Sequence, residues 1–140
     1  MKKKMINRTG TFATVVFVLF CMYCICGVLH ERRTGKLFYV CGFRPVVVLS
    51  GSMEPYMRTG AVVIVRKTEN IREQDAVFFL TEDRVPVIHR LIGMDKEGKA
   101  VTKGDANPKE DFTHIKTERI EGKVVLRMNW IASVNPFVRI

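Results

Sequence analysis

A mainly β protein with one amino-terminal transmembrane helix is the fold class that this 140-residue sequence predicts. Three observations predict it. Residues 11–29 (TFATVVFVLFCMYCICGVL) run without a charge or a proline. From residue 44 onward, short runs rich in β-branched residues recur. The stretches between those runs hold most of the Gly, Pro, Asn and Asp, as turns do, and no amphipathic helical period is sustained after the first segment.

The apolar segment comes first. Its length, at about 1.5 Å rise per residue, matches roughly 30 Å of hydrocarbon. A cleaved secretory leader is the rival reading, since Met1–Arg8 is basic. The flank His30-Glu31-Arg32-Arg33 offers no small-residue cleavage site, which favours a retained anchor. Lys2, Lys3, Lys4 and Arg8 precede it with no acid among them, so the positive-inside bias favours a cytoplasmic amino terminus. The expected organisation is therefore a cytoplasmic basic terminus at 1–10, an anchor at 11–29, a connector at 30–43 and an extracytoplasmic β domain at 44–140.

Within that domain Arg44–Ser50, Ala61–Arg66, Ala76–Leu80, Val85–Ile92, Lys99–Lys103 and Lys123–Arg127 read as strands. Their spacing suits a meander, a sandwich or a partly closed barrel. Trp130–Ile140 is apolar but short and contains Pro136, so it is expected to pack on the domain or lie at a membrane interface rather than to span.

Composition excludes little but directs attention. The net charge of +9 divides between the basic terminus and a domain with a moderate surplus, which suits a nearby anionic lipid surface and does not call for nucleic acid. Cys21, Cys24 and Cys26 fall inside the apolar segment, where a zinc site lacks a fourth ligand and a polar surround, so no metal is expected. Cys41 is the lone thiol of the remainder, and no intrachain disulfide is expected there.

The candidate chemistry begins at Ser50-Gly51-Ser52-Met53-Glu54-Pro55, directly after an apolar strand. Glycine lets the chain turn sharply and sets two hydroxyls two residues apart, so that one serine attacks while the other helps stabilise an oxyanion. His89, in a strand-like run, is a candidate general base. His30 and His114 are expected to be solvated, and Arg90 has Glu82 and Asp83 nearby for a surface pair. Asp105 and Asp111 both lie in a loop from which a carboxylate can orient His89, and the residues themselves leave that choice open. Taken singly, each of these features is an ordinary turn or strand residue.

Their order carries more. RPVVVLSGSMEP (44–55), PVIHRLI (86–92) and TKGDAN (102–107) followed by Asp111 resemble the three catalytic boxes of the signal peptidase I family (peptidase family S26). The similarity covers roughly residues 12 to 125, and His89 where most bacterial members place lysine resembles the endoplasmic-reticulum-type Ser-His subgroup, which also occurs in Gram-positive bacteria and archaea. The resemblance implies a membrane-bound serine endopeptidase that cleaves signal peptides from secretory preproteins after small residues of Ala-x-Ala type. Ser52 would be its nucleophile, His89 its base, Asp111 the acid, Ser50 an oxyanion-hole donor and Asp105 a supporting carboxylate. No cofactor is implied, and the need for an accessory subunit is open.

A pocket for small side chains is expected from Val47, Val62, Ile64 and Phe78. The chain departs from the family pattern at Gly60-Ala61 and Gln74-Asp75, where Gly-Asp is usual, and in an abbreviated carboxy-terminal part. A catalytically idle anchored β domain that binds secretory proteins is the alternative. A self-cleaving Ser-Lys relative is disfavoured by the anchor and by the lack of a preceding helix-turn-helix.

Overall fold

The computed structural model describes residues 8–130, and the carboxy-terminal segment discussed above lies outside them except for Trp130. The chain divides into two units, Met1–Cys41 and Gly42–Ile140.

The first unit is built on helix α1 (Arg8–Thr34). Its residues Gly10–Thr34 form a helix long and apolar enough to cross a membrane. The helix runs beyond the apolar segment because Glu31, Arg32 and Arg33 end the hydropathy but are good helix formers. The two arginines in its last turn also complement the negative end of the helix dipole. It stops at Gly35, whose φ of 67° is the left-handed conformation that glycine enters freely, with its N–H donating to the Glu31 carbonyl at 2.7 Å. Within this unit Tyr23 and Phe38 meet edge to face, ring centroids 5.4 Å apart. Cys21, Cys24, Cys26 and Cys41 are free thiols.

The second unit is one antiparallel sheet of six strands: β1 (Phe43–Val47), β2 (Val62–Arg66), β3 (Ala76–Leu80), β4 (Pro86–Met94), β5 (Ala100–Lys103) and β6 (Ile120–Met128). The six runs of β-branched residues are these strands, with ends displaced by a few residues. Their spatial order is β1-β2-β6-β3-β4-β5, so the last strand inserts between β2 and β3 and the sheet is not a simple meander. The registers of β2 with β6, β3 with β6 and β4 with β5 each shift once along their length. Such irregularities increase local twist and bend the sheet.

One core cluster gathers Val77 and Phe79 of β3, Leu91 of β4, Ala100 of β5 and Ile115, with Ile71, Val87 and Ile120 packed around it. Fully burying a side chain such as Phe79 or Leu91 stabilises by about 1.5 to 3 kcal/mol. Phe78, although it alternates to the opposite face of β3, is buried too, as are Met53 and Met57. Both faces of β3 are therefore covered. That central strand pairs with β4 over Ala76↔Arg90 to Leu80↔Pro86, which fixes Val77 opposite His89. Asp75, at the entrance to β3, is tied to β6 by Lys123 Nζ at 2.8 Å. Burial raises the Asp75 carboxyl, but the hydrogen bonds from Lys123 and the Arg72 backbone outweigh it and hold its pKa below the usual carboxylate value.

Candidate active site

Ser52 sits in a single 3-10 turn, Gly51–Met53, that follows the edge strand β1. The turn closes with the Glu54 N–H donating to the Gly51 carbonyl at 3.0 Å, and Met53, buried, anchors it. Ser50 Oγ lies 3.2 Å from Ser52 Oγ. A second loop seats against this turn. The Ala106 N–H donates to the Ser52 carbonyl at 2.9 Å, and Asn107 N–H closes back on Gly104 at 3.0 Å. Gly104 has no room for a side chain: a Cβ there would lie 2.6 Å from the Ser52 carbonyl oxygen. The glycine is what lets the two loops touch.

His89 comes from β4. Its Nε2 lies 3.2 Å from Ser52 Oγ, and its Nδ1 lies 2.6 Å from Asp111 Oδ2. Phe79 meets the imidazole edge-on, with ring centroids 6.4 Å apart, and limits its tilt. An imidazole protonated at Nδ1 satisfies both contacts at once, donating to Asp111 and leaving Nε2 to accept from Ser52. Ser52, His89 and Asp111 thus form a continuous hydrogen-bonded chain drawn from three parts of the sequence.

The neighbouring residue Arg90 faces the other way, as alternation along a strand requires. It donates from Nε to Asp105 Oδ1 at 2.7 Å and from Nη2 to Asp105 Oδ2 at 2.6 Å. Its Nη1 reaches the Gln74 carbonyl at 2.6 Å. The surface pair with Glu82 or Asp83 that proximity in sequence suggested is not formed. Glu82 lies instead 3.7 Å from Arg119, because β4 carries Arg90 back along β3 and away from the 81–85 turn. Hydrogen bonding to Asp105 raises the Arg90 pKa above its ordinary value in spite of partial burial.

The same guanidinium stacks 4.6 Å from the centre of the Tyr56 ring, and Arg127 stacks on that ring at 4.1 Å. Arg127 and Asn129 also donate to the Tyr56 carbonyl, at 2.6 and 3.1 Å. This clamp on the loop after Ser52 had no signal in the sequence, since arginines 37 residues apart announce no common partner. His114 was expected to be solvated, but its Nδ1 lies 2.7 Å from Asp95 Oδ2 and its side chain is partly buried. The Asp95 carboxyl, bonded by His114 and by the Lys99 and Glu97 amides, is held below its usual pKa.

Two cavities meet at His89. One, of about 320 Å³, contains Ser50 and Ser52 and is lined by Val47, Met53, Met57, Phe78 and Pro86–Ile88 among others. Of the four residues expected to shape a pocket, Val47 and Phe78 line it, whereas Val62 and Ile64 do not. Those two sit across from Val47 and Pro45 on β2, one strand further from Ser52. The other cavity, of about 590 Å³, lies on the Asp111 side of the imidazole and is bounded by Phe79, Val87, Pro108, Phe112 and Ile115. No group of three or more His, Cys, Asp or Glu among the described residues is arranged to hold a metal ion.

Comparison with known proteins places the chain in a family. The model of the Peptidase S24-like family matches residues 45–125, more than half of the chain. The chain belongs to the S24-like peptidase family. The proteins it is similar to include signal peptidases, in keeping with the resemblance to signal peptidase I read from the three boxes. It is 30% identical over 102 residues to signal peptidase I W of Bacillus subtilis (strain 168), covering 69% of this chain and 54% of that one. It is 36% identical over 73 residues to the signal peptidase complex catalytic subunit SEC11 of Verticillium alfalfae, covering 47% of this chain and 42% of that protein. The corresponding human subunit, SEC11C, is 38% identical over 73 residues, with 47% and 38% covered. The chain spans about half the length of the first two relatives, 54% and 42%.

Proposed function

We propose that this chain is a membrane-held serine endopeptidase of the signal peptidase I type, cleaving signal peptides from secretory preproteins after small residues. The observation that carries the proposal is the chain Ser52 Oγ to His89 Nε2 at 3.2 Å and His89 Nδ1 to Asp111 Oδ2 at 2.6 Å.

The chemistry follows from that order. Neutral His89 accepts the Ser52 proton at Nε2 as Ser52 Oγ attacks the scissile carbonyl, and Asp111 stabilises the imidazolium that results. Ser50 Oγ, beside the nucleophile, and the N–H groups of the 51–53 turn are the donors available to the oxyanion. His89 then returns its proton to the leaving amine, which is the new amino terminus of the shortened chain, and the signal peptide is left as an ester on Ser52 until a water activated by His89 hydrolyses it.

Two features support a peptide as the substrate. Within β4, pairing to β5 is limited to Arg90–Met94, so one edge of Pro86–His89 has no strand partner among the described residues and can accept an extended chain beside Ser52. The apolar 320 Å³ cavity at the same position suits small side chains, in line with the Ala-x-Ala rule that the family resemblance implies. The apolar helix would hold the site near substrates that are themselves in the membrane, with the amino terminus cytoplasmic and the β domain outside the cell membrane. Asp105, bonded to Arg90, has the supporting role.

The test is cleavage of an Ala-x-Ala precursor by the full chain in membranes, wild type against Ser52→Ala and His89→Ala. The proposal expects each substitution to cost about 10⁴-fold or more in rate while the protein stays folded. Cleavage retained by Ser52→Ala, or none by the folded wild type, would contradict it; the latter would return the chain to the alternative of a binding domain.

A further inference from the structure

Thr102 is fully buried on β5, the one polar residue among the described residues that is. Its hydroxyl donates to Asp111 Oδ2 at 2.7 Å, the same oxygen that meets His89 Nδ1 at 2.6 Å. Its carbonyl accepts the Asp111 N–H at 2.8 Å. Thr102 therefore grips Asp111 by backbone and side chain together. It stands opposite Leu91 on β4, two residues along the strand from His89, so the grip is referenced to the strand that carries the imidazole.

We propose that Thr102 is a positioning residue for the site: its hydroxyl fixes the rotamer of Asp111 so that Oδ2 meets His89 Nδ1–H and Nε2 stays aimed at Ser52. The inference rests on the Ser52-His89-Asp111 reading above and extends it to a fourth member. The physical case turns on what burial of a hydroxyl costs. A threonine needed only for strand packing would be matched by valine, which has the same shape, favours strands and needs no partner in an apolar site. Here the hydroxyl is retained and spent on a carboxylate, the kind of charge-assisted bond that is shorter and stronger than a neutral one. Asp111 is itself partly exposed, with 21% of its side chain accessible, so water competes for its oxygens wherever the protein does not hold them. β-branching restricts χ1 of Thr102, so the donor is already aimed.

The experiment uses the full chain in detergent micelles and an Ala-x-Ala peptide, with wild type, Ser52→Ala, Thr102→Val, Thr102→Ser, Thr102→Ala and Asp111→Asn with and without Thr102→Val. Thr102→Val is expected to lower kcat by about 10- to 100-fold, the range for losing a hydrogen bond to a charged group, with KM within about twofold. Thr102→Ser should restore kcat to within about threefold, since it returns the hydroxyl. In the Asp111→Asn background the valine substitution should change kcat by no more than about twofold, because its effect passes through the carboxylate. Thr102→Ala against Thr102→Ser reads the same hydroxyl at small size, so the comparison stands even where valine fails to pack. Wild-type kcat in a folded Thr102→Val or Thr102→Ala, or an equal loss in both Asp111 backgrounds, overturns the inference. Undiminished cleavage by Ser52→Ala is a different failure, that of the serine mechanism itself.

Discussion

His89 and Arg90 are adjacent on β4, each faces a carboxylate from the loop after β5, and their surroundings are nearly alike in burial, with side-chain exposures of 13% and 21% for His89–Asp111 against 20% and 18% for Arg90–Asp105. They nonetheless do different things. The His89 side links the Ser52 hydroxyl to the Asp111 carboxylate through an imidazole. The Arg90 side is closed: a bidentate ion pair, the Gln74 carbonyl and the Tyr56 ring consume the guanidinium. On the proposed reading, alternation along one strand separates a reactive assembly from a supporting one. Degree of burial does not distinguish them; the chemistry of the partner does.

The comparison is broken most severely by removing the supporting cation. Arg90→Met strands the Asp105 carboxylate, frees the Gln74 carbonyl and takes one guanidinium from Tyr56, for an expected loss of about 3 kcal/mol in unfolding free energy. Urea unfolding followed by circular dichroism in micelles reads it. Activity should fall mainly through the lost stability. Tyr56→Leu removes the ring between two guanidiniums and should cost about 1 to 2 kcal/mol, with kcat changed by only a few-fold. A loss in kcat as large as that of the serine variant would place Tyr56 on the reactive side and collapse the distinction.

Gln74 offers the smallest effect and the opposite sign. Its φ is 72°, a left-handed conformation that costs a side-chain-bearing residue about 1 to 2 kcal/mol. This is the position where the resemblance expected glycine. The exposed side chain returns little for that strain, since it is the backbone carbonyl that serves Arg90. Gln74→Gly should therefore stabilise by about 0.5 kcal/mol after the added freedom of the unfolded chain is counted, a small rise in the urea midpoint. A fall would mean that the glutamine side chain itself holds the turn.

How much of this the sequence disclosed depends on the range of the interaction. All six strands were legible because β-branched runs between turn residues are a local pattern. The insertion of β6 between β2 and β3 was not, since pairing order is decided by packing across the whole domain. Ser52 and His89 drew attention through the order of their boxes; the residues alone left Asp105 and Asp111 open, the resemblance preferred Asp111, and the loop geometry that sets Asp111 against His89 and Asp105 against Arg90 is nothing that periodicity encodes. Arg90 was assigned the wrong neighbour because nearness in sequence is a poor guide on a strand that doubles back. Thr102 opens the third box but was given no role there: threonine in Ala-Val-Thr-Lys is an ordinary strand residue until its hydroxyl is seen against Asp111. The helix runs past the apolar segment for a simpler reason, that hydropathy ends before helix propensity does.

The division between the two sides is tested most directly by Asp111→Asn and Asp105→Asn measured side by side, each for kcat on an Ala-x-Ala peptide and for unfolding free energy. The account predicts a crossed result. Asp111→Asn loses about 10²- to 10⁴-fold in kcat with stability changed by less than about 1 kcal/mol, as expected for an acid that orients the base. Asp105→Asn loses about 2 kcal/mol of stability with kcat of the folded fraction within about tenfold. Equal losses of kcat in the two variants, or the larger loss in Asp105→Asn, would contradict it.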